Sequence, residues 1–255
     1  MSGFYATIAR YYDAEHGDKT DDIEMYQRIA EKQGGPIFEV ACGTGRIMFH
    51  LAEAGYEVHG IDIEPAMLER AHRRLEQAPH LKDRLVFIEG DVLKLKPEQR
   101  YKLVIFPYGG MSHFHEQQTQ IDLLRRLRSM LTDDGLLVLD LRNPADVHAE
   151  RDTDAVTLEK TFIEPETGHL LMQFYTSRYD PLQQLLHLTW IYDEVTDDGT
   201  IQRTVAPVTY RHYSYFEIQL LLMMTGFKVE GIYGDGDERP LEASCERMIV
   251  FARPV

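Results

Sequence analysis

Cysteine is nearly absent: Cys42 and Cys245 are the only two in 255 residues. Two thiols cannot build a disulfide framework, so a reducing, cytoplasmic home is expected, with both cysteines serving as small buried hydrophobes. Long apolar runs are missing too. No stretch reaches the roughly 18 apolar residues that cross a bilayer, and the opening MSGFYATIARYYD has neither the basic nor the apolar region of a secretory leader. No membrane association is expected. Positive charge is scarce, with 27 Lys and Arg against 42 Asp and Glu and a net charge of −15. Proteins that bind nucleic acid draw much of their affinity from neutralising phosphates, so a nucleic-acid partner is disfavoured. The basic clusters at 72–74 and 125–128 lie in helical patterns interleaved with leucines and read as solvated helix faces.

What remains is ordinary globular composition, 44% hydrophobic and 27% charged, enough for one large domain or a domain with a sizeable insertion. From Gly34 onward strand and helix patterns alternate. Strands are expected at Ile37–Ala41, Tyr56–Ile61, Leu85–Glu89, Tyr101–Phe106 and 135–141, and helices at Ile47–Ala54, Pro65–Gln77 and Glu116–Met130. That alternation predicts an α/β fold, a doubly wound, mostly parallel sheet with helices on both faces. Between Ala155 and Tyr213 the pattern changes to four strand-like runs divided by PETG, DPLQ and DDGT, which predicts an antiparallel β insertion. A helix over 214–226 and two closing strands return to the first pattern. The segment to Lys32 reads as Tyr-rich helix lying over the sheet as a lid. The expected division is a lid over 1–35, a core over 36–150 and 214–255, and the insertion over 151–213.

The stretch IFEVACGTGR lacks one further thing, the third glycine of a dinucleotide fingerprint; Met48 stands in its place. Gly43 permits the tight turn after the first strand, and Gly45 is expected to let a ligand approach the backbone. The flanks indicate which ligand. Glu39, at the end of the first strand, repels a pyrophosphate and attracts an ammonium group. Asp62 ends the second strand at the spacing where a carboxylate takes ribose hydroxyls. Asp91, just past the third strand, can accept a hydrogen bond from an adenine amino group. Three carboxylates at successive strand ends call for ribose, adenine and a cationic tail without phosphate. S-adenosylmethionine has all of these.

FEVACGTGR, GIDIEPAMLERA, FIEGDVLKL and LTDDGLLVLDL resemble the successive motifs of class I S-adenosylmethionine-dependent methyltransferases, over Pro36–Leu141. Tyr11-Tyr12-Asp13, the helical lid and the insertion resemble a narrower group, which includes the aminosugar N,N-dimethyltransferases. The resemblance implies that Glu39 faces the methionyl amino group, Gly43 and Gly45 the methionine moiety, and Asp62 the ribose. It implies further that Ile63 and Met67 pack on the adenine, that Asp91 and Val92 hold its edge, that Phe106 lies near the sulfonium, and that Tyr12 closes over the methionine end. FPYGG differs from the Asn/Asp-Pro-Pro-aromatic motif of enzymes that methylate base amines, since Phe106 replaces the polar residue and one proline is missing.

Methyl transfer is an in-line displacement, so the protein chiefly aligns the acceptor and excludes water. A base matters only for a protonated acceptor; His113 is the first candidate and Tyr108 the second. No metal is called for. Tyr175, Arg178 and Tyr210 of the insertion are expected to bind a small-molecule acceptor, more readily an amine than a hydroxyl. The alternative for the insertion is a homodimer surface. The alternatives for the whole chain are a catalytically idle S-adenosylmethionine-binding scaffold and an NAD(P)-dependent reductase.

Overall fold

The computed structural model describes residues 3–16, 19–147 and 153–255. Two helices, α1 (Phe4–His16) and α2 (Asp21–Gln33), precede an alternating series: β1 (Ile37–Val40), α3 (Arg46–Glu53), β2 (Val58–Asp62), α4 (Pro65–Gln77), β3 (Leu85–Glu89), β4 (Tyr101–Phe106), α5 (Gln117–Met130) and β5 (Leu131–Arg142). A short α6 (Pro144–Val147) leads to the strands β6 (Thr153–Ile163), β7 (Leu170–Asp180), β8 (Leu185–Val195) and β9 (Ile201–Arg211). Then come α7 (Tyr215–Met224), β10 (Phe227–Tyr233) and β11 (Arg247–Pro254). The expected boundary between core and insertion, at 150/151, lies outside the described residues.

Local chemistry accounts for the element ends. Pro65 occupies the first turn of α4, where its missing N–H costs nothing. Ser214 and Glu217 form a reciprocal capping box that starts α7. β5 begins at Leu131, ahead of the expected start at 135, so Thr132-Asp133-Asp134 belong to it, with a register shift between Tyr101 and Leu103 of its neighbour β4.

Seven strands form one sheet in the order β10-β11-β5-β4-β1-β2-β3. Only β11 runs antiparallel to its neighbours. The order reverses between β1 and β4, and open α/β sheets bind ligands beyond the strand ends at such a switch point. Buried apolar clusters cover both faces of the sheet, Phe38, Val104 and Leu139 on one and Ile37, Leu103 and Val138 on the other. The four remaining strands form a separate antiparallel sheet, β6-β7-β8-β9. A third cluster joins α1 to that sheet through Phe4, Ile8, Tyr11, Leu171, Tyr192 and Ala206.

The missing third glycine has a physical answer. A Cβ on Gly60 of β2 would lie 2.3 Å from Met48 Sδ and 2.8 Å from Cys42 Sγ. Close packing of α3 on the sheet is achieved by a glycine on the strand, so the helix position carries a large side chain. Gly60→Ala is expected to destabilise by about 1–3 kcal/mol through overpacking, lowering Tm by roughly 2–9 °C in a protein of this size. Thermal unfolding with retained far-UV circular dichroism checks this.

Candidate active site

A cavity of about 490 Å³ opens at the C-terminal edge of the parallel sheet. Its methionine end, as read from sequence, is lined by Tyr12, Glu39, Gly43 and Phe106, and its adenosine end by Asp62, Ile63, Met67, Asp91 and Val92. Convergence follows from topology: β1, β2, β3 and β4 are parallel neighbours, so residues ending each strand meet at one edge.

Gly45 does not line this cavity. It adopts φ +76°, and a Cβ there would sit 3.0 Å from Phe87 and 3.1 Å from Phe49. Glycine is needed for the left-handed backbone and for aromatic packing behind the turn, not for ligand approach.

Glu39 is buried, and its Oε2 has no hydrogen-bond partner. Burial raises its pKa well above the usual carboxylate range; the charge of Arg46 opposes the rise, and Asp22 and Asp62 add to it. A ligand ammonium group would supply the missing donor, so this oxygen is where S-adenosylmethionine fits the residues present. Asp62 is placed differently. Its Oδ2 accepts the Gly43 N–H at 2.7 Å and its Oδ1 the Glu64 N–H at 2.9 Å. Burial raises its pKa while these bonds oppose the rise. The carboxylate therefore ties the glycine turn to the end of β2 and keeps its remaining lone pairs for hydroxyl groups. Asp91 Oδ1 accepts the Leu93 N–H at 3.0 Å, which holds the loop after β3 in the same way.

Two of the lining residues passed over in the sequence bear on the chemistry, Arg46 and Tyr5. Arg46, the first residue of α3, reaches the cavity and makes two bonds to Asp22 of α2, at 2.8 and 2.5 Å. Burial alone would lower the Arg46 pKa, but Asp22 raises it, so the guanidinium stays charged. With Glu39 ionised by a ligand ammonium group, Glu39 and Arg46 would offer one anion and one cation to the two charges of an amino-acid tail. Tyr5 is the other. It lies seven residues before Tyr12 on α1, two helical turns away and on the same face, which was the available signal.

A second cavity, of about 740 Å³, lies between α1, the inner face of the antiparallel sheet and the end of β5. Tyr5, Tyr12 and Tyr108 line both cavities. Tyr175 and Tyr210 line the second, and Arg178 does not. Successive side chains on a strand alternate faces, so Arg178, three positions from Tyr175, points to the outer face beside His187.

His113 follows β4 in a short 3-10 turn (Gly110–His113) and joins the wall of the first cavity. Its Nε2 pairs with the Tyr5 hydroxyl at 2.9 Å, and its ring lies 5.2 Å from that of Tyr210. Burial, aided by the nearby His115, lowers its pKa to about 4. His113 is therefore neutral at pH 7 and a poor match for an alkylammonium proton, whose pKa lies near 10. That favours orientation over proton abstraction. Tyr108 has φ +49°, held by a 3.1 Å bond from its N–H to buried Asp140, and burial raises its hydroxyl pKa. Neither residue is an anion at neutral pH.

The His113 environment has a measurable cost in acid. The unfolded chain takes up a proton below about pH 6.5, whereas the folded chain resists until about pH 4. Stability is thus expected to fall as pH drops through that window, by on the order of 3 kcal/mol in full. His113→Gln should remove this portion of the acid sensitivity, as checked by urea unfolding at pH 7 and pH 4.5.

Residues 37–135 match the family described as methyltransferase domain. Over nearly the whole chain the fold superimposes on the CcbJ methyltransferase from Streptomyces caelestis, with a TM-score of 0.79, 25% identity, and coverage of 98% of this chain and 99% of that one. The chain is an S-adenosylmethionine-dependent methyltransferase. It is also similar to the cypemycin N-terminal methyltransferase of a Streptomyces species, 26% identical across 85% of this chain and 82% of the relative. A shorter similarity, 26% over 55% of each chain, links it to the dTDP-3-amino-3,6-dideoxy-alpha-D-glucopyranose N,N-dimethyltransferase of Streptomyces fradiae. The enzyme's fold is that expected from the alternation of strands and helices and its cofactor that expected from the strand-end carboxylates, and no helix among the described residues is long and apolar enough to cross a membrane.

Proposed function

We propose that this enzyme methylates an amine nitrogen of a small-molecule acceptor held in the second cavity, with helices α1 and α2 acting as lid and the antiparallel sheet as acceptor-binding insertion. The observation that carries this reading is the shared wall: Tyr5, Tyr12 and Tyr108 border both the cofactor cavity and the second one. S-adenosylmethionine supplies an electrophilic methyl group on a sulfonium, and the chain's own residues set the geometry around it. Glu39 and Arg46 hold the amino-acid tail, Asp62 the ribose, and Asp91 with Val92 the adenine edge. Tyr5 and His113 orient the acceptor at the junction. Burial keeps the hydroxyls of Tyr5, Tyr12, Tyr108 and Tyr210 protonated, so they present neutral dipoles where positive charge disperses.

Glu15, Glu159 and Glu246 on the second cavity can each take a cationic amine, although the lining also carries Lys19, Arg142, Lys160 and Arg247 and is not acidic overall. The named N-methyltransferase relatives point to nitrogen. A nucleic-acid acceptor is disfavoured by the net charge of −15. A cytoplasmic location fits the two unpaired cysteines. The test is a panel of small amines, amino acids, aminosugars, peptide N-termini and hydroxylated metabolites, read as S-adenosylhomocysteine release. Turnover confined to hydroxylated compounds would overturn the nitrogen assignment.

The two faces of the insertion support two roles. The outer face carries a cross-strand row of Leu158, Phe174, Ile191 and Val205, and a second row of Ile163, Leu170, Val195 and Ile201. Five of these eight are exposed, a layer suited to a second copy of the chain. Tyr175→Ala and Tyr210→Ala are expected to raise the acceptor KM and leave cofactor affinity within about threefold. Phe174→Glu should lower the sedimentation coefficient and spare acceptor kinetics, and Arg178→Ala should not raise the acceptor KM.

A further inference from the structure

The turn PETG between β6 and β7 is built more firmly than a connection requires. Buried Glu164 accepts the Thr167 N–H at 2.7 Å, the Thr167 hydroxyl at 2.8 Å and the Glu166 N–H at 3.1 Å. This framework presents the Glu166 carboxylate to Arg70 of α4, whose Nη1 meets it at 2.9 Å. The Arg70 Nε donates to Asp13 of α1, also at 2.9 Å. One guanidinium therefore joins three parts of the molecule: core helix, N-terminal helix and insertion.

The connection reaches the cofactor cavity from both sides. Arg70 stands one helical turn beyond Met67, and Asp13 directly follows Tyr12; Met67 and Tyr12 both line that cavity. On the same stretch of α1, Arg10 pairs with buried Glu194 of β8 at 2.6 Å. His169, just before β7, pairs with Glu194 at 2.8 Å. The helix carrying Tyr5 and Tyr12 is thus held at Asp13 by the core and at Arg10 by the insertion. Resting on the cofactor reading of the first cavity, we propose that Arg70 is the latch of the lid. It positions Tyr12 over the methionine end, and parting of its ion pairs admits and releases the cofactor.

Release of S-adenosylhomocysteine, measured by stopped-flow competition, tests this without an acceptor. Partly exposed ion pairs contribute modestly, so Arg70→Ala is expected to speed release by roughly three- to tenfold, with Asp13→Asn and Glu166→Gln each giving part of that. Wild-type release should quicken between roughly 0.05 and 0.5 M salt as the pairs are screened, and Arg70→Ala should lose that dependence. The double variant Asp13→Asn/Arg70→Ala should release no faster than Arg70→Ala alone. Equal rates in wild type and all variants would overturn the latch. So would faster release that keeps the wild-type salt dependence, since that marks a merely loosened fold. If Arg70→Ala fails to fold, the two carboxylate variants decide alone. Failure of the wild type to bind S-adenosylhomocysteine would overturn the cofactor reading instead.

Discussion

Arg46→Ala and Glu39→Gln are each expected to weaken S-adenosylhomocysteine binding by about tenfold to a hundredfold, the range for losing one charge-assisted bond. 5′-Methylthioadenosine should be spared. It has the same adenine and ribose but lacks the amino-acid tail, and in the proposed site these residues address only the tail. Glu39 is buried with an unpartnered oxygen, and Arg46 reaches the same cavity while anchored by Asp22. Calorimetry with both ligands on both variants checks the assignment; equal loss for both ligands would place these residues elsewhere. The Glu39 half has a pH signature. Its raised pKa means that the free protein is stabilised by protonation there, and this contribution is lost as pH rises above the ordinary carboxylate range. An ammonium group reverses the preference, so S-adenosylhomocysteine should bind with proton release and more tightly as pH increases. Glu39→Gln should abolish the proton release.

Asp62→Ala is expected to weaken both ligands alike, by about 1.5–3 kcal/mol or somewhat more. Ribose is common to both, which explains the parity. The excess comes from a second duty visible only in three dimensions, since Asp62 also holds the N–H groups of Gly43 and Glu64. Removing it loosens the glycine turn as well as the proposed ribose contact. Asp62→Asn retains one acceptor oxygen and should lose less. Unchanged affinity in Asp62→Ala, with the fold intact by circular dichroism, would remove this residue from the site.

Much of this site was legible because a parallel sheet converts sequence order into spatial convergence. Glu39, Asp62 and Asp91 lie at the ends of successive strands, and strands pointing one way must bring their ends to one edge. Hydrophobic periodicity located those ends, and charge suggested the ligand. Arg178 was misplaced although period-2 alternation already separates it from Tyr175; composition alone does not assign faces. Gly45 was identified rightly as a necessary glycine but for the wrong neighbour, because Phe87 lies more than forty positions away in sequence.

Fold class, cofactor and the gathering of three strand-end carboxylates at one cavity were thus determined by the sequence itself, through strand periods and residues at strand ends. Tertiary structure alone decided the rest. It brought Met48 onto Gly60, so that a helix without glycine packs as closely as one with it. It buried His113 beside Tyr5 and lowered its pKa to about 4, turning a residue that titrates near neutrality in water into a neutral one. It placed α1 between α4 and the antiparallel sheet, so that Tyr5 and Tyr12 border both cavities, and it gathered Asp13 and Glu166 from distant segments onto the Arg70 guanidinium. Each of these depends on desolvation or on contact between residues far apart in the chain, and neither quantity is written in local sequence.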